Sequence, residues 1–178
     1  MEYYKNYFEE IFELLKNHNL ENFKKTLSLI KNLNKKNKII FVGNGGSASI
    51  ASHCSTDYNK ILKKRSMTFN EPNLITCYAN DYGHDQWMSE AIKTYGDKND
   101  ILVLISSSGK SKNIINCGKV AKNKKMKIIT FSGFDINNKL KKIGSINFWV
   151  NSKKYNHIEM VHHIWLLSIC DHLSKQSI

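Results

Sequence analysis

The stretch KIIFVGNGGS, residues 38–47, decides the fold. Its apolar run, Ile39 to Val42, has the length and composition of a buried strand, and the glycines that follow are typical of a tight turn into a helix. The same layout returns in DILVLISSSGKS, residues 100–111, where serines and a glycine follow the apolar run. Two such units predict parallel strands joined by helices that lie on both faces of the sheet.

The remaining pattern alternates between helices and strands. Apolar spacing predicts two helices between Glu2 and about Asn34, a helix over 86–95 and a long helix over 158–173. Further strands are predicted at residues 74–78, 127–131 and 146–150. The predicted fold is therefore α/β, with a doubly wound, mostly parallel five-stranded sheet, two N-terminal helices and a long C-terminal helix. We expect one domain over residues 1–178, made of a helical hairpin (1–36) and an α/β core (37–178).

The net charge indicates an anionic ligand. Lysine and arginine number 27 against 15 aspartates and glutamates, a formal charge of +12, which attracts nucleic acids, acidic membranes and phosphorylated metabolites alike. The densest lysine runs, residues 35–38 and 122–125, lie at predicted helix ends, where they favour the negative end of the helix dipole. No aromatic residues interleave with them, and no apolar run reaches the length of a membrane span. We expect neither nucleic acid nor a membrane as partner.

The four cysteines predict a reduced, cytoplasmic protein. They are far apart and show no paired spacing of the kind found in zinc or thioredoxin-type motifs. Such residues usually behave as small buried apolar groups, and we expect that of all four: Cys54, Cys77, Cys117 and Cys170.

The serine loop predicts a phosphate site. Ligands of open parallel sheets bind beyond the carboxyl ends of the strands, where helix N-termini attract anions. An ordinary helix cap needs one serine, whereas this loop supplies four hydroxyl donors: Ser106, Ser107, Ser108 and Ser111. The glycine loop, residues 43–47, has neither the spacing of a dinucleotide fingerprint nor the Lys-Ser/Thr of a P-loop. Nucleotide binding is therefore disfavoured, and we expect the serine loop to bind the phosphate of a sugar phosphate.

Three segments together carry a resemblance to a known family. They are GNGGS at 43–47 with His53, NDYG at 80–83 and ISSSGKSKN at 105–113. In combination they resemble the bacterial phosphoheptose isomerases of the sugar isomerase (SIS) family, over nearly the whole chain. The resemblance implies a flavodoxin-like sheet, a homotetramer with active sites between subunits, and zinc in many members. It also implies conversion of sedoheptulose 7-phosphate to D-glycero-D-manno-heptose 7-phosphate, for capsule or lipopolysaccharide.

The resemblance also implies roles for individual residues. Phosphate contacts match Ser47, Ser106, Ser107, Ser108 and Ser111, while contacts near the sugar chain match Asn44 and Asp81. His53 matches a zinc ligand, and Asp57 stands where the family has its glutamate base. On the C-terminal helix, Glu159 replaces a glutamine that contacts substrate, and Leu167 replaces a histidine that acts as ligand and acid.

Two histidines are candidates for the missing role. His163 lies one turn before Leu167 on the same helical face, and His162 matches another family histidine but points about 100° away. His53 with Asp57, and Glu159 with His163, are also two i, i+4 pairs. Those four side chains suit tetrahedral zinc. They equally suit ordinary surface or interface pairs.

The chemistry follows from these residues. Moving a carbonyl between C1 and C2 needs a base for a carbon-bound proton and a group that moves the oxygen proton. We expect Asp57 to be that base and His163 or His162 to move the oxygen proton. Two alternatives stay open: Leu167 permits a phosphosugar-binding or protein-binding regulator without turnover, and the altered Asp57 and Glu159 permit an isomerase of another phosphosugar.

Overall fold

A computed structural model describes residues 1–175 of the chain. The described part contains seven helices and five strands. The helices are α1 (Glu2–Lys16), α2 (Leu20–Lys31), α3 (Gly46–Lys60), α4 (Pro72–Tyr82), α5 (Trp87–Tyr95), α6 (Lys112–Asn123) and α7 (Tyr155–Lys175). The strands are β1 (Ile39–Val42), β2 (Ser66–Thr68), β3 (Ile101–Ile105), β4 (Lys127–Ser132) and β5 (Ile146–Trp149).

The five strands form one sheet in the order β2-β1-β3-β4-β5. Every neighbouring pair is parallel, and this order is that of flavodoxin-like sheets. The predicted fold class is confirmed. The chain runs outward in opposite directions from β1 and β3, so the crevice between them is the point where such sheets bind ligands.

Helices cover both faces of the sheet because its strands alternate their side chains. Ile39 and Phe41 pack on the face covered by α3 and α7, while Ile40 and Val42 pack on the face of α5 and α6. Both faces are apolar, which is why β1 and β3 are continuous apolar runs rather than alternating ones. Helices α1 and α2 pack against α7 on the first face.

One predicted strand is wrong. Residues 74–78 lie inside α4, and the fifth strand is instead β2. Glu71 caps the helix by accepting a hydrogen bond from the Leu74 N–H at 2.8 Å, and Pro72 occupies the first turn, where its missing N–H costs nothing. The apolar side chains of α4 are half-buried against the second core. Capping and packing thus override the strand propensity of this segment.

The cysteines match their prediction in part. Cys54, Cys117 and Cys170 are buried, whereas Cys77 is exposed, because its segment is a surface helix and not a buried strand. Within residues 1–175 no helix has the length and apolar character to span a membrane. The last three residues of the predicted domain, 176–178, lie outside the described part of the chain.

Candidate active site

The serine loop lies where β3 ends and α6 begins. Ser106 and Ser107 are buried, and Ser106 Oγ donates to Ser111 Oγ at 3.2 Å. Ser111 occupies the N-cap position but its side chain makes no capping hydrogen bond. The Ile114 N–H of the first turn bonds to Asn113 Oδ1, but the N-cap hydroxyl is not used for capping, so the helix N-terminus and the loop hydroxyls lie together as an anion site requires.

Ser107 is the buried hydroxyl of this loop that has no protein partner of normal geometry. Its Oγ lies out of solvent without a hydrogen bond among the described residues, and a buried hydroxyl in that state costs free energy. A phosphate oxygen in the loop would remove that cost. The Glu159 carboxylate lies close to the same hydroxyl, so Ser107 faces both that carboxylate and the space where a phosphate would bind.

Gly109 gives the loop its shape. Its φ is +63°, in the left-handed region, and a Cβ there would lie 2.2 Å from Asn138 Oδ1. Asn138 is buried and donates to Ser132 Oγ at 3.0 Å and to the Asp135 carbonyl at 2.8 Å. Asn138 is therefore held in place against Gly109 and packs on the serine loop at that position.

The glycine loop, residues 43–47, follows β1 on the other side of the crevice. Gly45 has a φ of +52° and begins α3 without a side-chain cap, and Ser47 is buried in the first turn. A Cβ on Gly46 would lie 2.2 Å from the Glu159 carboxylate. Glycine at 46 therefore allows Glu159 of α7 to contact the backbone of the loop.

The Glu159 carboxylate lies close to both loops. Burial raises the pKa of its carboxyl, and the nearby Ser107 hydroxyl opposes that shift. The carboxylate thus lies between the glycine loop and the serine loop.

His53, Asp57 and His163 form one connected group. His53 Nε2 lies 3.2 Å from Asp57 Oδ2, and His53 Nδ1 lies 2.8 Å from His163 Nε2. The side chains of His53 and Asp57 are 49% and 26% exposed, so a substrate can reach them. Burial and the adjacent His53 lower the pKa of His163, with Asp57 opposing, which favours a neutral imidazole that can accept a proton.

His162 is not part of this group. Its side chain is fully buried, and its Nε2 lies 3.1 Å from the Ser132 carbonyl. Burial lowers its pKa to about 4. Of the two predicted histidines, therefore, only His163 lies where it can act, and the prediction that His162 could take this role is corrected. Leu167, one turn further along α7, is partly buried and packs against the core.

Asn44 and Asp81 are placed differently. Asn44 lies in the glycine loop and its carboxamide is bonded to that of Asn113. Asp81 is exposed in the last turn of α4, where it accepts from Asn80 Nδ2 at 2.9 Å. Within residues 1–175 no hydrogen bond or ion pair joins Asp81 to the other candidate residues.

The four side chains predicted as zinc ligands fall into two parts. His53 directs one ring nitrogen at Asp57 and the other at His163, while Glu159 contacts the glycine loop instead. Within residues 1–175 no three His, Cys, Asp or Glu side chains are grouped so that they could hold a metal ion. The four predicted ligands are thus one connected trio and one separate carboxylate.

Comparison with known proteins shows the family to which the chain belongs. A family model described as the SIS domain matches residues 3–133. The chain belongs to the SIS domain family. The match includes the glycine loop, His53, Asp57 and the serine loop, and it leaves out α7, which supplies Glu159 and His163.

Relatives within this SIS family include named enzymes. The chain is 34% identical over 160 residues to the phosphoheptose isomerase of Buchnera aphidicola subsp. Schizaphis graminum, covering 83% of this chain and 82% of that protein. It is 32% identical to the phosphoheptose isomerase of Helicobacter pylori strain 26695, covering 83% and 79%. The solved phosphoheptose isomerase of Neisseria gonorrhoeae is 26% identical with a TM-score of 0.88, covering 99% and 98%. The expected resemblance is confirmed.

Proposed function

We propose that this protein is an aldose-ketose isomerase that converts sedoheptulose 7-phosphate to D-glycero-D-manno-heptose 7-phosphate. The observation that carries the proposal is that one chain contains both the serine loop, whose helix α6 has no side-chain cap, and the His53–Asp57–His163 group on the neighbouring helices α3 and α7. The names of its SIS relatives support the reaction and substrate class. The heptose product would serve capsule or lipopolysaccharide synthesis.

The distance from the glycine loop to His53 is similar to the length of a seven-carbon sugar phosphate. Gly46 and His53 are seven residues apart on α3, which is about 10 Å along the helix. Seven bonds separate the phosphorus of sedoheptulose 7-phosphate from its C2 carbonyl carbon, or about 8 Å at the rise per bond of an extended chain. Glu159 lies against Gly46 and near Ser107, so a substrate whose phosphate lies between the two loops would extend its carbonyl end toward the histidines. The net charge of +12 favours its arrival.

The proposed chemistry moves protons only. Asp57 removes a proton from C1 of the ketose, and the electron pair forms the C1–C2 double bond of an enediol. His163, kept neutral by its lowered pKa, moves the hydroxyl proton between O1 and O2. Returning the carbon-bound proton to C2 yields the aldose, so atoms balance without an added reactant. His53 lies between the two groups and fixes their orientation through its two ring nitrogens.

Zinc stays a prediction from the resemblance. Bound metal would polarise the carbonyl oxygen, but no step above is routed through it because Glu159 lies apart from the other predicted ligands.

We also propose the homotetramer and the cytoplasmic location implied by the resemblance. Helix α1 has no buried residue and exposes a row of aromatic side chains, Tyr4, Phe8 and Phe12, at four-residue spacing. Such a stripe on a helix already packed against α7 favours burial against a second copy of the chain. Four free cysteines fit a reducing compartment.

The variant Asp57→Asn tests the function. It keeps the shape of the side chain but removes the base, so kcat with sedoheptulose 7-phosphate should fall by roughly 10²- to 10⁴-fold. Competitive inhibition by inorganic phosphate should stay within about twofold, because phosphate binds the serine loop. The assay follows aldose formation with and without added zinc.

Asp171→Asn is the matched control, since it neutralises an exposed carboxylate on α7 and should retain wild-type turnover. Unchanged kcat in Asp57→Asn refutes the assigned base. Phosphate-dependent binding without conversion by the wild-type protein, at either zinc level, refutes the isomerase and favours a non-catalytic regulator. Conversion of only a different ketose phosphate refutes the heptose substrate.

A further inference from the structure

Two asparagine side chains bridge the crevice between β1 and β3. Asn44 Nδ2 donates to Asn113 Oδ1 at 2.9 Å, and Asn113 Nδ2 donates to Asn44 Oδ1 at 2.9 Å. Asn44 is the second residue of the glycine loop, and Asn113 lies in the first turn of α6, two residues after Ser111. The two carboxamides thus exchange both hydrogen bonds across the point where the sheet order reverses.

The pair is fixed on one side and open on the other. Asn113 is 2% exposed, and its Oδ1 also accepts from the Ile114 N–H at 2.9 Å. Asn44 is half-buried, and its second N–H has no partner within residues 1–175. Because Asn113 fixes both the plane of the Asn44 carboxamide and its O/N orientation, it decides where that remaining N–H points.

The pair is also the connection between the two loops. Within residues 1–175, the Asn44–Asn113 bonds are the side-chain hydrogen bonds that join the glycine loop to residues 106–113. The serine loop is held from the opposite side, by the Gly133 N–H on the Ser107 carbonyl at 2.7 Å and the Leu140 N–H on the Gly109 carbonyl at 3.2 Å. Without the pair, no side-chain hydrogen bond among residues 1–175 would join the glycine loop to residues 106–113.

We propose that Asn113 is a positioning residue of the isomerase, an inference that rests on the proposed function. Asn113 contacts no substrate. It acts through Asn44, by orienting that carboxamide toward the sugar chain and by fixing the distance from the glycine loop to the phosphate site. A sugar phosphate is then held at two points, phosphate and chain, whereas inorganic phosphate uses only the serine loop.

A double-mutant cycle tests this inference. Asn113→Ala and Asn44→Ala should each lower kcat/KM for sedoheptulose 7-phosphate by roughly 10- to 100-fold, with the inhibition constant of inorganic phosphate within about twofold of wild type. In the Asn44→Ala background, Asn113→Ala should cost no more than about threefold further, because its target is already absent. Asn113→Asp serves if the alanine variant fails to fold, since its carboxylate can still accept from the Ile114 N–H but cannot donate to Asn44 Oδ1.

Asn116→Ala is the matched control. It removes another side-chain hydrogen bond of α6, from Asn116 Nδ2 to the Asp85 carbonyl at 3.1 Å, and should retain wild-type kcat/KM. Additive losses in the cycle, or a parallel loss of phosphate inhibition, overturn the positioning role while wild-type turnover upholds the function. If the wild-type protein shows no turnover, the same cycle is measured on sedoheptulose 7-phosphate binding by calorimetry. Additivity there overturns the inference, and absence of binding overturns both proposals.

Discussion

Gly109 and Gly45 both have positive φ angles, yet a side chain at each would meet different surroundings. A Cβ on Gly109 would lie 2.2 Å from Asn138 Oδ1 and 2.8 Å from Asn138 Cβ, whereas a Cβ on Gly45 has no atom within 4 Å. Asn138 cannot move aside easily, because it is buried and hydrogen-bonded to Ser132 of β4 and to Asp135 and Lys141 in the loop after that strand. Alanine substitutions at the two glycines therefore distinguish the cost of backbone strain from the cost of displacing a neighbouring side chain.

Gly45→Ala should lower the free energy of unfolding by about 1–3 kcal/mol, the cost of holding a residue with a side chain at a positive φ and a ψ of −124°. Gly109→Ala should lose that amount and about 1–3 kcal/mol more from displacing Asn138. Urea denaturation followed by circular dichroism measures both. Equal losses in the two variants would show that Asn138 does not support the serine loop.

Residue types with a chemical signature could be predicted from the sequence, and those that act through geometry could not. The serines, His53 and Asp57 are recognisable because hydroxyl clusters and i, i+4 pairs predict particular chemistry. Asn113 and Asn138 look like ordinary helix and loop residues, because their effect depends on which distant atoms they contact. The choice between His162 and His163 depends on which side of α7 faces the core, and only the fold determines that.

At the scale of secondary-structure elements, a helix cap explains why one segment that was predicted as a strand is a helix. Residues 74–78 contain the β-branched and aromatic side chains that favour a strand, but Glu71 and Pro72 start a helix just before them. The strand that replaces it, β2, has three residues and no apolar run, so it carries no periodic signal. Its place at the edge of the sheet comes from pairing with β1.

Helix α1 predicts an assembly that one substitution should weaken. Phe8 is 63% exposed between Tyr4 and Phe12, at 62% and 58%, and burying such a ring is worth about 1.5–3 kcal/mol. Phe8→Glu should therefore raise the dissociation constant of the oligomer at least about tenfold. Sedimentation velocity over a concentration series measures it.

Ile136→Glu is the control for that experiment, because it places the same charge on an exposed apolar residue outside α1. It should leave the assembly intact. A monomeric wild-type protein, or a Phe8→Glu variant with the wild-type dissociation constant, would contradict the role of α1.

At the scale of the whole molecule, the free energy of unfolding should depend on pH through a buried histidine of the core. His162 lies between α7 and β4 with its Nε2 at the Ser132 carbonyl and its Nδ1 without a partner among the described residues. Burial lowers its pKa to about 4, from an ordinary value of 6.5. Between those values the unfolded chain binds a proton that the folded chain does not, so the free energy of unfolding falls as the pH falls.

The wild-type protein should thus lose on the order of 2 kcal/mol of unfolding free energy between pH 7 and pH 5 through His162 alone. His162→Gln removes the titrating ring, can still donate to the Ser132 carbonyl, and should flatten this part of the pH profile whatever its stability at pH 7. His163→Gln, which removes a less buried ring whose pKa is lowered in the same direction, should keep most of the slope. Chemical denaturation at half-unit pH steps gives the three profiles. Because His162 lies in the core and His163 in the site, a wild-type slope in His162→Gln would reverse the assignment of the two histidines.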